Sequence, residues 1–332
     1  MMAKVAILIP SYNHGRYLKA CLSSIQAQTF RDWEVVLIDD GSTDDSVALA
    51  QEIAHQDPRI RVLTNETNLG TYGTEQRALE LSESEYVAVM NSDDLWLPDK
   101  LQRQLTAFEE SPAARVCYVL GWMVDDSGAP LTKDDVHADW PVTPVQDPLP
   151  YLLYENRILA SGVLFRREGL RFETTCRYSG DWVALLQATK DSPAVCISDR
   201  LVYWRQHDNN TYKRSAKQMI EEIRVRRSIS DRPDRWAGPG RDEALVRRGL
   251  MMNELNLSNL CLYFLDRDGF MNHGRRAVEY GFPRLTMLKR LLAGTVSIRK
   301  TRSYIWRLDE YVPESACAEA RSLIRSQSKI EL

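Results

Sequence analysis

The sequence has no apolar run near the ~18 residues a membrane-spanning helix needs, no C-x-x-C pair, and no glycine-rich loop after its first apolar run. Each absence removes a class of function. The six cysteines, Cys21, Cys117, Cys176, Cys196, Cys261 and Cys317, are scattered and have no histidines beside them. That pattern argues against a zinc site and a disulfide framework, and fits a reducing compartment. Without the glycine loop there is neither a P-loop nor a dinucleotide fingerprint. VAILIP, residues 5–10, is too short for a signal-peptide core. A cytoplasmic location is therefore expected, at most peripheral on the inner face of the cytoplasmic membrane.

What is present is an ordinary globular composition: 332 residues, 44% hydrophobic and 27% charged, with a net charge of −3. That charge hides an asymmetry. From Lys213 onward there are 24 Lys and Arg against 15 Asp and Glu, whereas the preceding part holds 19 against 31. The split predicts a first domain over 1–212 and a basic helical region over 213–332.

Short β-rich runs alternate with helical patterns in the first part. KVAILIP, WEVVLIDDG, RIRVLTN, EYVAVMNSDD and RVCYVLGWMV read as strands. YLKACLSSIQAQ, SVALAQEIAHQ, TEQRALELSES and PDKLQRQLTAFEES read as the helices between them. This alternation implies right-handed crossovers and an α/β fold with a mainly parallel sheet. Near-continuous apolar strands fit a sheet covered on both faces. Five prolines between 125 and 155 mark a loop-rich insertion. Strand-like runs return in SGVLFRRE and AVCISDRLVYWRQH, with a helix from Asp181 to Lys190 between them.

In an open parallel sheet, ligands bind beyond the carboxyl ends of the strands. Those ends carry Pro10-Ser11-Tyr12-Asn13, Asp39-Asp40-Gly41-Ser42, Asn65, and Asn91-Ser92-Asp93-Asp94. Adjacent carboxylates such as Asp93 and Asp94 repel unless something positive compensates them. With no glycine loop to cradle phosphates, a nucleotide here needs a metal ion. Asp93 and Asp94 are suitable hard ligands for Mg²⁺ or Mn²⁺.

The order PSYN, VVLIDDGSTDDS, TNLG and NSDDLWLPDKL resembles the inverting family 2 glycosyltransferases of bacterial envelope polysaccharide assembly, which have the GT-A fold. The resemblance covers roughly the first 210 residues. It implies that Tyr12 and Asp39 hold the nucleobase with Ser11 alongside, and that Pro10, Asn13, Asn68 and Asn91 belong to the same donor-binding set. It further implies Asp93 on the ribose or metal, Asp94 on the metal, and Asp181 in RYSGDWVALL as the general base. His207 then completes the metal shell or holds the diphosphate, with Arg205 nearby. The implied cofactor is Mn²⁺ or Mg²⁺. The implied partners are a nucleoside-diphosphate sugar, by default a UDP-sugar, and a glycan or lipid-linked acceptor, with no nucleic acid.

Two positions depart from the family pattern: Asn91 stands where Asp is commoner, and Gly180 where Glu often precedes the base. Several of these residues also have purely structural readings. Asp39 and Asp40 could start a turn and cap a helix, Asp181 could be an ordinary helix N-cap, Tyr12 could pack, and His207 could be structural. A nucleotidyltransferase and a non-catalytic nucleotide-sugar binding module are the alternative functions. From Tyr280 to Leu308 there is no acidic residue among seven basic ones. This pattern is compatible with a basic amphipathic helix lying on an anionic membrane.

Overall fold

The computed structural model describes residues 3–287, apart from 132–135, 138–139, 141, 153–155, 208–209, 211–215, 231–241, 264–265 and 285–286. The basic stretch from 288 to 308 therefore lies outside the described residues. The chain separates into two compact units, residues 1–210 and 211–332.

The first unit runs β1 (Val5–Ser11), α1 (Gly15–Gln26), β2 (Trp33–Asp39), α2 (Ser46–Gln56), β3 (Ile60–Thr64), α3 (Gly70–Glu80), β4 (Tyr86–Val89), β5 (Leu95–Trp96) and α4 (Lys100–Glu110). It continues with β6 (Val116–Val124), β7 (Val145–Gln146), α5 (Leu149–Leu152), a 3₁₀ turn (Ala160–Gly162), β8 (Val163–Arg166), α6 (Gly180–Thr189) and β9 (Ala194–Arg205). The strands lie in the order β3-β2-β1-β4-β8-β6-β9-β5, with β7 also paired to β9. The first four are parallel to one another, and β6 pairs parallel with β9. Between these blocks β8 runs antiparallel to both β4 and β6. Strand order reverses at β1, which has β2 on one side and β4 on the other, so the switch point lies between the tips of β1 and β4.

All seven residues of β1 are buried, as a sheet covered on both faces requires. Val5, Ile7 and Ile9, with Val35 and Leu37 of β2, pack in one core with Leu18, Cys21, Leu22 and Ile25 of α1. Leu101, Leu105 and Phe108 of α4 belong to the same core. Each such aliphatic side chain contributes about 1.5–3 kcal/mol on burial. Two carboxylates fix the loops above it. Asp40 accepts hydrogen bonds from the backbone N–H groups of Leu69 (2.7 Å) and Gly70 (2.8 Å) and from Asn65 Nδ2 (2.6 Å). These bonds satisfy free donors at the start of α3, which begins four residues earlier than the sequence pattern predicts. Asp44 accepts from the N–H of Gly15 (3.0 Å) and of Ser46 (3.0 Å), bracing the starts of α1 and α2.

In the second unit, α7 (Ala216–Ser230) and α9 (Arg267–Glu279) both pack on α8 (Asp242–Tyr263). Leu255, Cys261, Phe270, Ala277 and Met287 form its core. A buried pair, His273 Nδ1 to Glu254 Oε2 at 2.7 Å, joins α9 to α8. Among the described residues no helix is long and apolar enough to cross a membrane.

Candidate functional site

The tips of β1 and β4 meet at the switch point. Asn13 has φ +54°, a left-handed conformation that asparagine tolerates. This turns the chain from β1 into α1 within three residues. Its Oδ1 accepts from Thr43 N (2.8 Å), and its own N–H donates to Ser42 Oγ (2.8 Å). His14 follows at the N-cap position of α1, where its N–H donates to Ser46 Oγ at 3.1 Å. The His14 ring reaches across to the β4 tip, with Nδ1 2.8 Å from Ser92 Oγ.

A third segment arrives from β9. The backbone N–H of Arg205 donates to Asp94 Oδ1 (3.0 Å), and its Nε donates to the carbonyl of Asp93 (2.9 Å). Two residues further on, His207 Nε2 lies 2.9 Å from Asp93 Oδ2, with both side chains buried. His14, Asp93 and His207 thus offer ligand atoms all within 4.8 Å of one another. Their rings are held in place. His207 stacks on Tyr17 at 4.9 Å between centroids and meets His14 edge-on at 5.5 Å. Burial lowers the pKa of His14, partly opposed by the Asp93 charge, which favours the neutral imidazole that a cation requires. The Tyr17 hydroxyl donates to Asp126, and burial with that bond pushes its pKa up to about 12.

Asp94, expected as a metal ligand, is turned inward. Its Oδ2 accepts from Ser161 Oγ (2.5 Å) and Asn91 Nδ2 (3.3 Å), while Oδ1 takes the Arg205 N–H. Burial and the neighbouring Asp93 charge raise its pKa. Asp94 therefore ties β4, β9 and the 3₁₀ turn together, and the three-residue cluster contains Asp93 in its place. The Arg205 guanidinium is likewise committed, donating to the carbonyls of Asp93 and Asp126. Asn68 donates to the Asp40 carbonyl at 2.9 Å and accepts from Arg177 at 3.3 Å.

On the other side of β1, Asp39 is paired in register with Ser11. Its Oδ1 accepts from the N–H of Gly41 (3.1 Å) and Ser42 (2.8 Å), and Oδ2 from Ser42 Oγ (2.5 Å). Ser11 Oγ is buried with no hydrogen-bond partner. Pro10 lies within β1 just before it, and Tyr12 stands 49% exposed just after it. A flat ring, a hydroxyl and a carboxylate are what a planar heterocycle with donor edges would meet.

Asp181 lies in the first turn of α6 and is half-buried. Tyr72 of α3 donates its hydroxyl to Oδ1 at 3.0 Å, and Asn156 donates Nδ2 to Oδ2 at 3.2 Å. Burial, reinforced by the Asp181 charge, raises the Tyr72 pKa well above its usual range, so it stays a donor. Glu75, also on α3, is buried, and neither of its carboxyl oxygens has a hydrogen-bond partner. Burial raises its pKa well above the usual carboxylate range, with the Asp181 charge adding to the effect, which favours the protonated form.

His14 and Tyr17 carry no motif signal of their own in the sequence, and Ser92 enters there only as part of the β4 tip. The signal for His14 was its place in PSYNHG, directly after a strand tip already marked as a ligand site.

The Glycosyl transferase family 2 model matches residues 6–139. Over that segment this chain is similar to that family. The mixed sheet and its flanking helices are a GT-A fold. An uncharacterized glycosyltransferase of Nostoc is 28% identical over 228 residues, covering 66% of this chain and 70% of that one. UDP-Glc:alpha-D-GlcNAc-diphosphoundecaprenol beta-1,3-glucosyltransferase WfgD of Escherichia coli is 36% identical over 102 residues. That match covers 31% of this chain and only 40% of WfgD. TarS 1-349 of S. aureus, solved in complex with UDP-GlcNAc, superposes with a TM-score of 0.62 at 17% identity. The superposition covers 98% of this chain and 92% of that one, a likeness of fold.

Proposed function

We propose that this glycosyltransferase moves a sugar from a nucleoside-diphosphate donor, by default a UDP-sugar, to a hydroxyl of a glycan or lipid-linked acceptor, inverting the anomeric centre. The observation that carries the reading is the Asp93–His207 pair, held at 2.9 Å beside the β1 tip at the strand-order switch. The donor set suits a divalent ion, because the ligand atoms of a carboxylate and two imidazoles lie within 4.8 Å of one another. Such an ion would neutralise charge developing on the departing diphosphate. Ser11, Tyr12 and Asp39 would receive the base.

Asp181 would take the proton of the acceptor hydroxyl as that oxygen attacks the anomeric carbon. Tyr72 and Asn156 each hold one of its oxygens, which fixes the carboxylate plane and lowers the cost of orienting it. A single displacement assisted by one base yields inversion. The relatives support a transferase of polysaccharide biosynthesis; the sugar and the acceptor are set by pocket shape.

The test is a screen of nucleotide sugars with Mn²⁺, scored first for binding by thermal shift and then for transfer or donor hydrolysis. A donor that binds and turns over in the wild type but not in Asp181→Asn supports the assignment. Binding without turnover in either protein would leave a nucleotide-sugar binding module.

A further inference from the structure

We propose that His14 is a third protein ligand of the ion at Asp93 and His207. The resulting set of two imidazoles and one carboxylate would select a first-row transition ion such as Mn²⁺ over Mg²⁺. This rests on the reading above that a divalent ion works at this site, and deepens it to the class of ion.

Three observations support the assignment. The ligand atoms of His14, Asp93 and His207 all lie within 4.8 Å of one another. Bonds of about 2.0–2.2 Å to one ion hold such atoms at most about 4.4 Å apart, so the cluster is within a few tenths of an ångström of closing. Second, Ser92 Oγ sits 2.8 Å from His14 Nδ1. A partner on Nδ1 fixes the ring orientation and leaves Nε2 for the ion. Third, the His207 ring is clamped by Tyr17 and by His14 itself, so both imidazoles are oriented before an ion arrives.

The preference follows from ligand chemistry. Mg²⁺ demands oxygen ligands and sheds water reluctantly. Imidazole nitrogen suits the first-row transition ions, which also accept a carboxylate. Asp94 would have made the set oxygen-rich, but its oxygens are bonded to Ser161, Asn91 and Arg205. The sequence motif alone therefore suggests a harder site than the one the fold assembles.

The test uses the full chain, stripped with chelator and titrated with Mn²⁺ alone, with free Mn²⁺ read by its EPR signal and Mg²⁺ added as competitor. Wild type should bind Mn²⁺ and release half of it only at an Mg²⁺ excess on the order of 100-fold. His14→Gln should weaken Mn²⁺ about tenfold or more while moving Mg²⁺ by less than about threefold. Competition at parity, or a folded His14→Gln protein with wild-type Mn²⁺ affinity, overturns the proposal. Should His14→Gln fail to fold, Ser92→Ala carries the same test. Weakened Mn²⁺ binding supports the proposal, and unchanged binding overturns it. Selective Mn²⁺ binding by a protein that transfers no sugar leaves this inference standing and removes the proposed function. Transfer that is indifferent to His14→Gln and to the choice of ion removes the inference alone.

Discussion

The ring of Tyr72 fills the space that a side chain at Gly180 would need: a Cβ there would lie 2.3 Å from Tyr72 Cγ. The missing acid before Asp181 is thus replaced by a ring whose hydroxyl holds Asp181. Gly180→Ala should force the ring aside, destabilising the protein by about 1–3 kcal/mol through overpacking. Thermal denaturation should show the loss, and turnover should fall with it because Asp181 loses its orienting donor. A Gly180→Ala protein as stable and active as wild type would show that the ring yields freely.

Replacing the base itself separates chemistry from binding. Asp181→Asn keeps the shape and should lower kcat by about 10²–10⁴-fold. Donor affinity, measured by calorimetry, should change by no more than about twofold, since Asp181 is assigned to the acceptor. A loss of donor affinity instead would move Asp181 to the donor side.

Chelation with EDTA should abolish transfer, and added Mn²⁺ should restore it. Asp93→Asn should weaken the restoring ion by about tenfold or more. Asp94→Asn should act differently, lowering thermal stability because three hydrogen bonds from protein groups converge on that carboxylate. Transfer that continues at full rate in EDTA would sink the metal-dependent reading.

Asp40 should behave as a structural acid. Asp40→Ala strips acceptors from Leu69 N–H, Gly70 N–H and Asn65, at a cost of roughly 3 kcal/mol or more. Urea denaturation should show the loss. Asp40→Asn, which retains one acceptor oxygen, should lose less.

Lys100 provides a pH signature. It is fully buried over the Trp96 ring and donates to Gln104 Oε1 at 2.9 Å, and burial lowers its pKa to about 7. Between about pH 7 and the unfolded value of 10.5, the unfolded chain binds more protons than the folded one at this position. The contribution of this group to stability therefore rises with pH across that window, and its full cost is felt below pH 7. Lys100→Met, of similar volume, should flatten that part of the stability profile. An unchanged slope would remove Lys100 as its source.

The strands that were legible are those written as apolar runs: β1 to β4, β6, β8 and β9 each coincide with a run read from sequence. β5 and β7, two residues each, carry no periodicity to read. The position of β8 between β4 and β6 was equally hidden, because strand neighbours are chosen by tertiary packing and not by sequence order. Asp93 and His207 were each readable from a motif, but which acid of the twin pair meets the histidine was not. That choice depends on Ser161 and the Arg205 backbone, which reach Asp94 from 67 and 111 positions away. Tyr72 was invisible as a partner of Asp181 for the same reason, at a separation of 109.

The stitch between the β9 terminus and the Asn91–Asp94 tip spans 114 positions at the Asp93–His207 pair. The family-matched segment ends at residue 139 and so holds only two of the three clustered groups. A minimal fragment cut at that boundary would be missing an imidazole however well it folded. On the proposed reading, trimmed versions for crystallisation or engineering need the chain through His207, and ion uptake by such a fragment would report whether the two distant halves have docked.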